Sequence, residues 1–444
     1  MYVSKKFRRA IIMSVMCGGL IVFPSVYPVN NVPMPLVSVA DADIKTYTGT
    51  GKYIMSDFEN QNIAQQRAIE RALKDAQRQS GEYLQTYSRS INGNSTDDEI
   101  FAITNNIVEV LETNCVPQPF EQDGEAGLMY TATVRVNIDT DGVRAWLRRD
   151  TQDRMTLVNQ NNAAQQAADA NDQQVEDLRK RAQNATTDAE RAAIQAEYQR
   201  IDNEFLANQK LEEGNQLAYQ SNYNGALAKY TEATSLKPNF AEAYNNRGLA
   251  YIKTGNYTQA IADLNKAIEL NPNMVAAYSN RGLAYAKMEN YNESIKDYTK
   301  VIKLDPNNSV AYNNRGAAYS YLKQYLQAIA DYTKAIELNP NYVEAYTNRG
   351  SAYHELQKYS EAIADYNKVI ELNPNFVEAY NNRGGVYYYL KNYGAAISDF
   401  TKAIELDSND YAAYVNRGIA YEAIGDNERA ESDFAKAHAL GYNG

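Results

Sequence analysis

Residues 241–274 read AEAYNNRGLAYIKTGNYTQAIADLNKAIELNPNM, and residues 275–308 keep the same register as VAAYSNRGLAYAKMENYNESIKDYTKVIKLDPNN. Outward from this pair, glycine returns at 214, 248, 282, 316, 350, 384 and 418, and proline at 238, 272, 306, 340 and 374, always 34 residues apart. A fixed period of this length marks stacked copies of one supersecondary unit. Within a copy, apolar residues recur at spacings of three and four on two successive segments, which predicts two amphipathic helices. The Asn-Pro step, as at Asn271-Pro272, ends the second. Seven copies cover 207–444, at 207–240, 241–274, 275–308, 309–342, 343–376, 377–410 and 411–444.

An aromatic fourth, glycine eighth, tyrosine eleventh, alanine twentieth and proline thirty-second make up a pattern that resembles the tetratricopeptide repeat. The first copy departs from it with Lys210 and Leu217 for tyrosines, the last with Asn427 for tyrosine, and the sixth with Ser408 for proline. One helix pair is too small to bury its own apolar face, so neighbours stack into a continuous core. The resemblance therefore implies a mainly α fold: a seven-repeat α-solenoid, wound as a right-handed superhelix, with its atypical end copies as caps.

Of the 37 tyrosines, 29 fall in 207–444, and 22 of these occupy four places of the repeat, so they read as packing residues with the hydroxyl at a rim. Tyr321, Tyr388 and Tyr389 are extras, at places where the family lines its inner groove. Arginine stands sixteen residues before aspartate in six copies, as Arg247 and Asp263, Arg281 and Asp297, Arg315 and Asp331, Arg349 and Asp365, Arg383 and Asp399, Arg417 and Asp433. In the first copy the charges swap together to Glu213 and Lys229, which predicts a structural ion pair in every copy.

Immediately before each arginine stands Asn246, Asn280, Asn314, Asn348, Asn382 or Asn416. Asparagine is a poor interior helix residue, so propensity does not explain the series. It is similar to the asparagine ladder with which tetratricopeptide superhelices hold the main chain of an extended peptide. The other reading is a solvated or loop-bonding asparagine carried along by recent duplication. Neighbouring groove places vary, with Lys253, Lys287, Tyr321, His354, Glu355, Tyr388, Tyr389 and Glu422, so the early copies are slightly basic and the later ones aromatic and acidic. His354 reads as an ordinary polar residue at the groove lip. Beside the ladder, where a clamp for a C-terminal carboxylate needs lysine, stand Asn245, Ser279, Asn313, Thr347 and Asn381.

Residues 1–40 read as a signal peptide: KKFRR at 5–9, a mainly apolar run from Ala10 to Phe23, and a small-x-small end at Ser38-Val39-Ala40, with Ala42 as a second cleavage site; the other reading of the same residues is an uncleaved anchor. This predicts export to the periplasm or cell envelope, or secretion, and no membrane span after signal removal. Residues 41–150 do not repeat and read as a small α+β domain. Tyr47 to Met55, with Gly49 and Gly51, predicts a strand with a close backbone approach; Ile63, Ala64, Ala68, Ile69, Ala72, Leu73 and Ala76 share one helix face; Ile100 to Leu111 and the alternation at Tyr130, Ala132, Val134, Val136 and Ile138 predict two more strands; and a short helix holds Trp146. This order resembles the envelope domain of LPP20-type lipoproteins and of the flagellar assembly protein T N-terminus. Asn137, Asp139, Asp141 and Gly142 open like a calcium loop, but Arg148 stands where a bidentate carboxylate is required, so the stretch reads as a turn and cap. Residues 151–206, rich in Gln, Asn and Ala, predict a helical spacer whose seam of Val175, Leu178, Ala182, Ala185, Ala189, Ala192 and Ala196 supports weak self-association through 171–206.

The 444 residues carry a net charge of -11, where a general nucleic-acid binder is basic. Two cysteines, of which only Cys115 lies beyond the N-terminal segment, and two histidines leave no thiol-rich or histidine-rich metal site and no cofactor motif. The sequence therefore predicts an exported, non-enzymatic scaffold binding an extended peptide or a partner protein segment. The rival readings are an architectural or self-associating envelope protein and an unrecognised hydrolase.

Overall fold

A computed structural model describes residues 44–55, 59–90, 108–122, 125–139 and 173–442, in two compact units divided between Asn246 and Arg247. The signal peptide, the expected strand start at 100–107, the Asp141-Gly142 turn and Trp146 lie outside the described residues.

In the first unit, strands β1 (Ile44–Ile54), β2 (Val108–Gln122) and β3 (Glu125–Asp139) form one antiparallel sheet in the order β1-β3-β2. Tyr130, Ala132, Val134 and Val136 alternate inward along β3 and share a core with Ala64, Ala68, Ala72 and Ala76 of helix α1 (Gln61–Ser90). The helix lies directly on β1 because Gly49 and Gly51 have no side chains: a Cβ at Gly49 meets the Ala72 carbonyl oxygen at 2.1 Å, and one at Gly51 meets that of Ala68 at 2.3 Å. β2 runs further along the chain than the 100–111 expected, through Pro117 and Pro119. It is an edge strand, where a missing N–H costs no ladder bond. Asn137 and Asp139 are strand residues of β3, not loop residues. Cys115 is a half-buried residue of β2 whose thiol, pushed up by burial, approaches the Gln65 carbonyl at 3.8 Å.

Within the expected helical spacer, the described residues form two helices. Helix α2 covers 173–184, and helix α3 (Asp188–Tyr219) starts afresh after Thr187, whose side chain accepts from the Glu190 N–H while the Glu190 carboxylate accepts from the Thr187 N–H. The break shifts the helical phase, so the buried face passes from Val175 and Leu178 to Ile194, Tyr198 and Ile201, and all five join the core of the sheet domain. Ala189, Ala192 and Ala196 of the expected seam are exposed. The larger side chains bury far more apolar area than alanine and decide the packing. Of the expected seam, Val175 and Leu178 are thus buried within the chain, with Ala182 and Ala185 packed against the same core. Arg67 of α1 ties the contact down by donating to Asp202 of α3 at 3.2 Å, to the Tyr53 hydroxyl at 2.8 Å and to buried Glu59. Helix α3 continues as the first helix of repeat 1 and packs Gly214 on Tyr230 of α4 (Tyr223–Leu236).

The remaining helices alternate as first and second members of repeats 2 to 7: α5 (Ala241–Lys253), α6 (Tyr257–Leu270), α7 (Val275–Lys287), α8 (Tyr291–Leu304), α9 (Ser309–Tyr321), α10 (Tyr325–Leu338), α11 (Val343–Glu355), α12 (Tyr359–Leu372), α13 (Val377–Tyr389), α14 (Tyr393–Leu406), α15 (Tyr411–Ala423) and α16 (Asn427–Ala439). The glycine period has a steric cause. A Cβ at Gly316, Gly384 or Gly418 stands 2.8, 2.8 or 2.7 Å from the ring of Tyr332, Phe400 or Phe434 in the second helix. Each helix pair turns through a left-handed residue, glycine at 255 and 425 but Ser221, Glu289, Lys323, Gln357 and Lys391 in the other five copies, with φ of 58–61°. In the last copy the outward face of the second helix turns polar: Glu431 and His438 stand where the earlier copies carry Ile397 and Ile404, as a solenoid end requires.

Candidate functional site

The ion-pair residues sit within the stack. Each arginine bonds its aspartate through two N–H groups, with Arg315 Nε and Nη2 at 2.8 and 2.7 Å from Asp331, and the same fork recurs at Arg247, Arg281, Arg349, Arg383 and Arg417. A third N–H reaches the preceding repeat, as from Arg315 to Thr299 at 3.1 Å and from Arg349 to Thr333 at 3.0 Å. Burial raises the carboxyls of Asp297, Asp331 and Asp365 against the pull of their arginines. In repeat 1 Lys229 meets Glu213 at 2.9 Å, and Lys210 joins them. These arginines act between helices and are unavailable to a ligand.

The asparagine series is a correction to both sequence readings. Asn246, Asn280, Asn314, Asn348, Asn382 and Asn416 are neither an open ladder nor solvated: all are buried, with at most 6% of their surface exposed. Three of the six amides bond the preceding repeat. Asn246 donates to Asn215 at 2.9 Å, Asn314 to the Tyr298 hydroxyl at 3.4 Å, and Asn348 to Asn313 at 3.1 Å. The physical reason is the close approach of successive first helices, which leaves this place at a helix–helix seam. The place before it, Asn245, Ser279, Asn313, Thr347 and Asn381, is buried as well. The polar residues of the floor are therefore mortar between repeats.

Of the groove places named from the sequence, those that remain open lie in the last turns of the first helices. Lys253, Lys287 and Tyr321 are exposed, and Glu355, Tyr388, Tyr389 and Glu422 are half-buried. These places contact the start of the preceding second helix in a recurring way. Tyr321 stacks on Tyr291 with ring centroids 4.6 Å apart and planes within 3°, the Tyr325 hydroxyl donates to Glu355 at 3.2 Å, and Tyr389 lies over Tyr359 at 6.2 Å. His354, expected at the lip as an ordinary polar residue, is instead buried among rings, 5.7 Å from Tyr359 and 5.1 Å from Tyr389. Its neighbours were visible in the sequence, but the contact spans two repeats and needs the stacking angle. Among the described residues no group of three or more His, Cys, Asp or Glu is placed to hold a metal ion, and no helix is long and apolar enough to cross a membrane.

Family models described as TPR repeat match residues 214–255 and 350–391, and models described as tetratricopeptide repeat match 241–274, 275–308, 309–342, 377–410, 331–364 and 400–432. Hsp70-Hsp90 organizing protein 1 of Glycine max is 40% identical over 68 residues, which is 15% of this chain and only 12% of that protein. A tetratricopeptide repeat protein from Parabacteroides merdae is similar in structure over 53% of this chain and 94% of its own, at 22% identity and a TM-score of 0.45. YrrB, described as a TPR protein with an unusual peptide-binding site, is 26% identical over 41% of this chain and 95% of its own, at a TM-score of 0.37. MamA is 30% identical over 36% of this chain and 93% of its own, at a TM-score of 0.34.

Proposed function

Because residues 214–432 are tetratricopeptide repeats, we propose that this protein is an exported, non-enzymatic interaction scaffold that holds an extended peptide or partner segment along the inner side of its repeat array. One observation carries the reading. In copies whose packing residues hardly change, the last turn of the first helix changes in every copy, through Ile252-Lys253, Ala286-Lys287, Ser320-Tyr321, His354-Glu355, Tyr388-Tyr389 and Glu422-Ala423. Variation at this turn, whose second residue is exposed or half-buried in each of these copies, gives a stacked array a different contact at each step, which is what selective recognition of an extended chain requires. With the asparagines buried, recognition falls to these side chains and not to a ladder of amides.

The test is a photo-crosslinking residue placed at Lys287 or Tyr321 on the inner track, or at Lys334 on the exposed face of α10, in the full chain within its source cells. Adducts from the inner positions alone are expected; adducts equally frequent from Lys334, or none but the chain itself, defeat the reading. Export rests on the basic start and apolar run of residues 5–23, and full-length protein in the cytoplasmic fraction overturns it.

A further inference from the structure

We infer that Tyr291 and Tyr321 form a site of oxidative cross-linking, where a haem peroxidase working on hydrogen peroxide couples the two rings and staples repeat 3 to repeat 4. The site is independent of what the groove binds. Tyrosine opens the second helix in each of the first six copies, at 223, 257, 291, 325, 359 and 393. Thirty residues on, the last residue of the next first helix changes, through Lys253, Lys287, Tyr321, Glu355, Tyr389 and Ala423, so two of these six pairs bring tyrosine to both places. The first is in contact: Tyr291 and Tyr321 stack with centroids 4.6 Å apart and planes within 3°. The second, Tyr359 and Tyr389, stands 6.2 Å apart, with His354 against the two rings at 5.7 and 5.1 Å. Tyr411 and Tyr442, at 6.1 Å and 20°, are likewise further apart. Tyr321 is 44% exposed at the end of α9, so an oxidant reaches the stacked pair from solvent.

The stack suits the chemistry. Burial, with the charge of Glu289 adding to it, holds both phenols above the ordinary tyrosine value, so they enter the reaction neutral. Each phenol gives one electron and one proton to the peroxidase, which leaves two phenoxyl radicals. Their spin lies in the ring π system, at the oxygen and at the ring carbons ortho and para to it, and the para carbon is already taken by Cβ. That density points along the ring normal, so parallel stacked rings aim it at each other, whereas tilted or separated rings do not. One carbon–carbon bond forms between an ortho carbon of each ring. Each ring then regains its aromaticity by passing the ortho proton through solvent to its own oxygen. Two phenols and one hydrogen peroxide thus give one dityrosine and two waters. The link ties the start of α8 to the end of α9 across the repeat boundary and closes a loop, which removes freedom from the unfolded chain.

The experiment treats the full chain, dilute enough to disfavour coupling between molecules, with a haem peroxidase and limiting hydrogen peroxide, then digests it and maps the linked peptides by mass. The expected main product joins Tyr291 to Tyr321 within one chain and is lighter by two hydrogen atoms than the separate peptides. Oxidation of Met288, 40% exposed and three residues before Tyr291, adds oxygen instead and is told apart by mass. Tyr321→Phe keeps the ring but not the phenol, so it loses this product and most of the dityrosine fluorescence of the monomer, while Tyr389→Phe retains both. The linked wild type unfolds at a higher temperature than the untreated protein, and treated Tyr321→Phe shows no such rise. Links spread evenly over the other tyrosines, a yield unchanged by Tyr321→Phe, or no link under conditions that couple free tyrosine overturn the inference. Absence of inner-track crosslinks to a partner defeats the groove reading alone and leaves this site standing.

Discussion

At the scale of single residues, the arginine fork is a repeated contact that joins the two helices of a copy, with a third N–H reaching the copy before it. Arg315 holds Asp331 of its own repeat and Thr299 of the preceding one, with both charged side chains largely buried. Removing one partner of such a pair strands the other charge, so Arg315→Ala is expected to cost about 3 kcal/mol, and Arg315→Lys, which keeps the charge but not the planar fork, an intermediate amount. Denaturant unfolding measures both, and a loss for Arg315→Ala below about 0.5 kcal/mol, the level of an exposed pair, contradicts this account. A second case concerns the buried amides. Asn314 finds the hydroxyl of Tyr298, but the residues three periods on are Asn416 and Phe400, and Asn416 Oδ1 is buried without a hydrogen-bond partner. Phe400→Tyr restores the hydroxyl and is expected to stabilise the array by about 1 kcal/mol. A lowered unfolding midpoint shows that the ring edge has no room and that the translational reasoning fails there.

At the scale of the helix pair, the turn carries strain that the sequence period hides. Asn256 N–H returns to the Tyr251 carbonyl at 2.8 Å, and Gln324 to Tyr319 at 2.9 Å, so the same helix end forms around Gly255 and around Lys323. Only glycine adopts that left-handed residue without a steric cost, so Lys323→Gly and Gln357→Gly are each expected to raise stability by about 1 kcal/mol. Thermal unfolding of the double variant measures the sum, and a fall in midpoint shows that those side chains do more than cover the turn. The helix-scale signals were unevenly legible. Amphipathic spacing marked the two helices of every copy, and Thr187-x-x-Glu190 is a capping box that announces the break between α2 and α3, yet the alanine seam running through it suggested continuity. Pro117 and Pro119 hid the greater part of β2, because a sequence alone does not say which strand lies at an edge.

At the scale of the whole molecule, α3 belongs to two bodies at once. Ile194, Tyr198 and Ile201 sit in the core of the sheet domain, and Ala207, a few residues on, sits with Ala233, Phe240 and Ala243 in the core where the repeats begin. A helix shared in this way couples the folding of the sheet domain to that of repeat 1. Tyr198→Ala, which empties a fully buried site, is expected to cost about 4 kcal/mol and to lower amide-exchange protection in β3 and in α4 together. Lost protection in β3 with α4 unchanged separates the two bodies and removes the coupling. The sequence by itself determined the repeat, the two helices of each copy, the Asn-Pro end of the second and which charges belong together, because those follow from spacing along one chain and recur at a fixed period. Tertiary structure alone decided that the asparagines lie at a helix–helix seam, that His354 lies among tyrosines of two repeats, and that the spacer is part of a core. Each of these depends on the angle and distance between neighbouring elements, quantities set by the sum of all packing contacts and written at no single position.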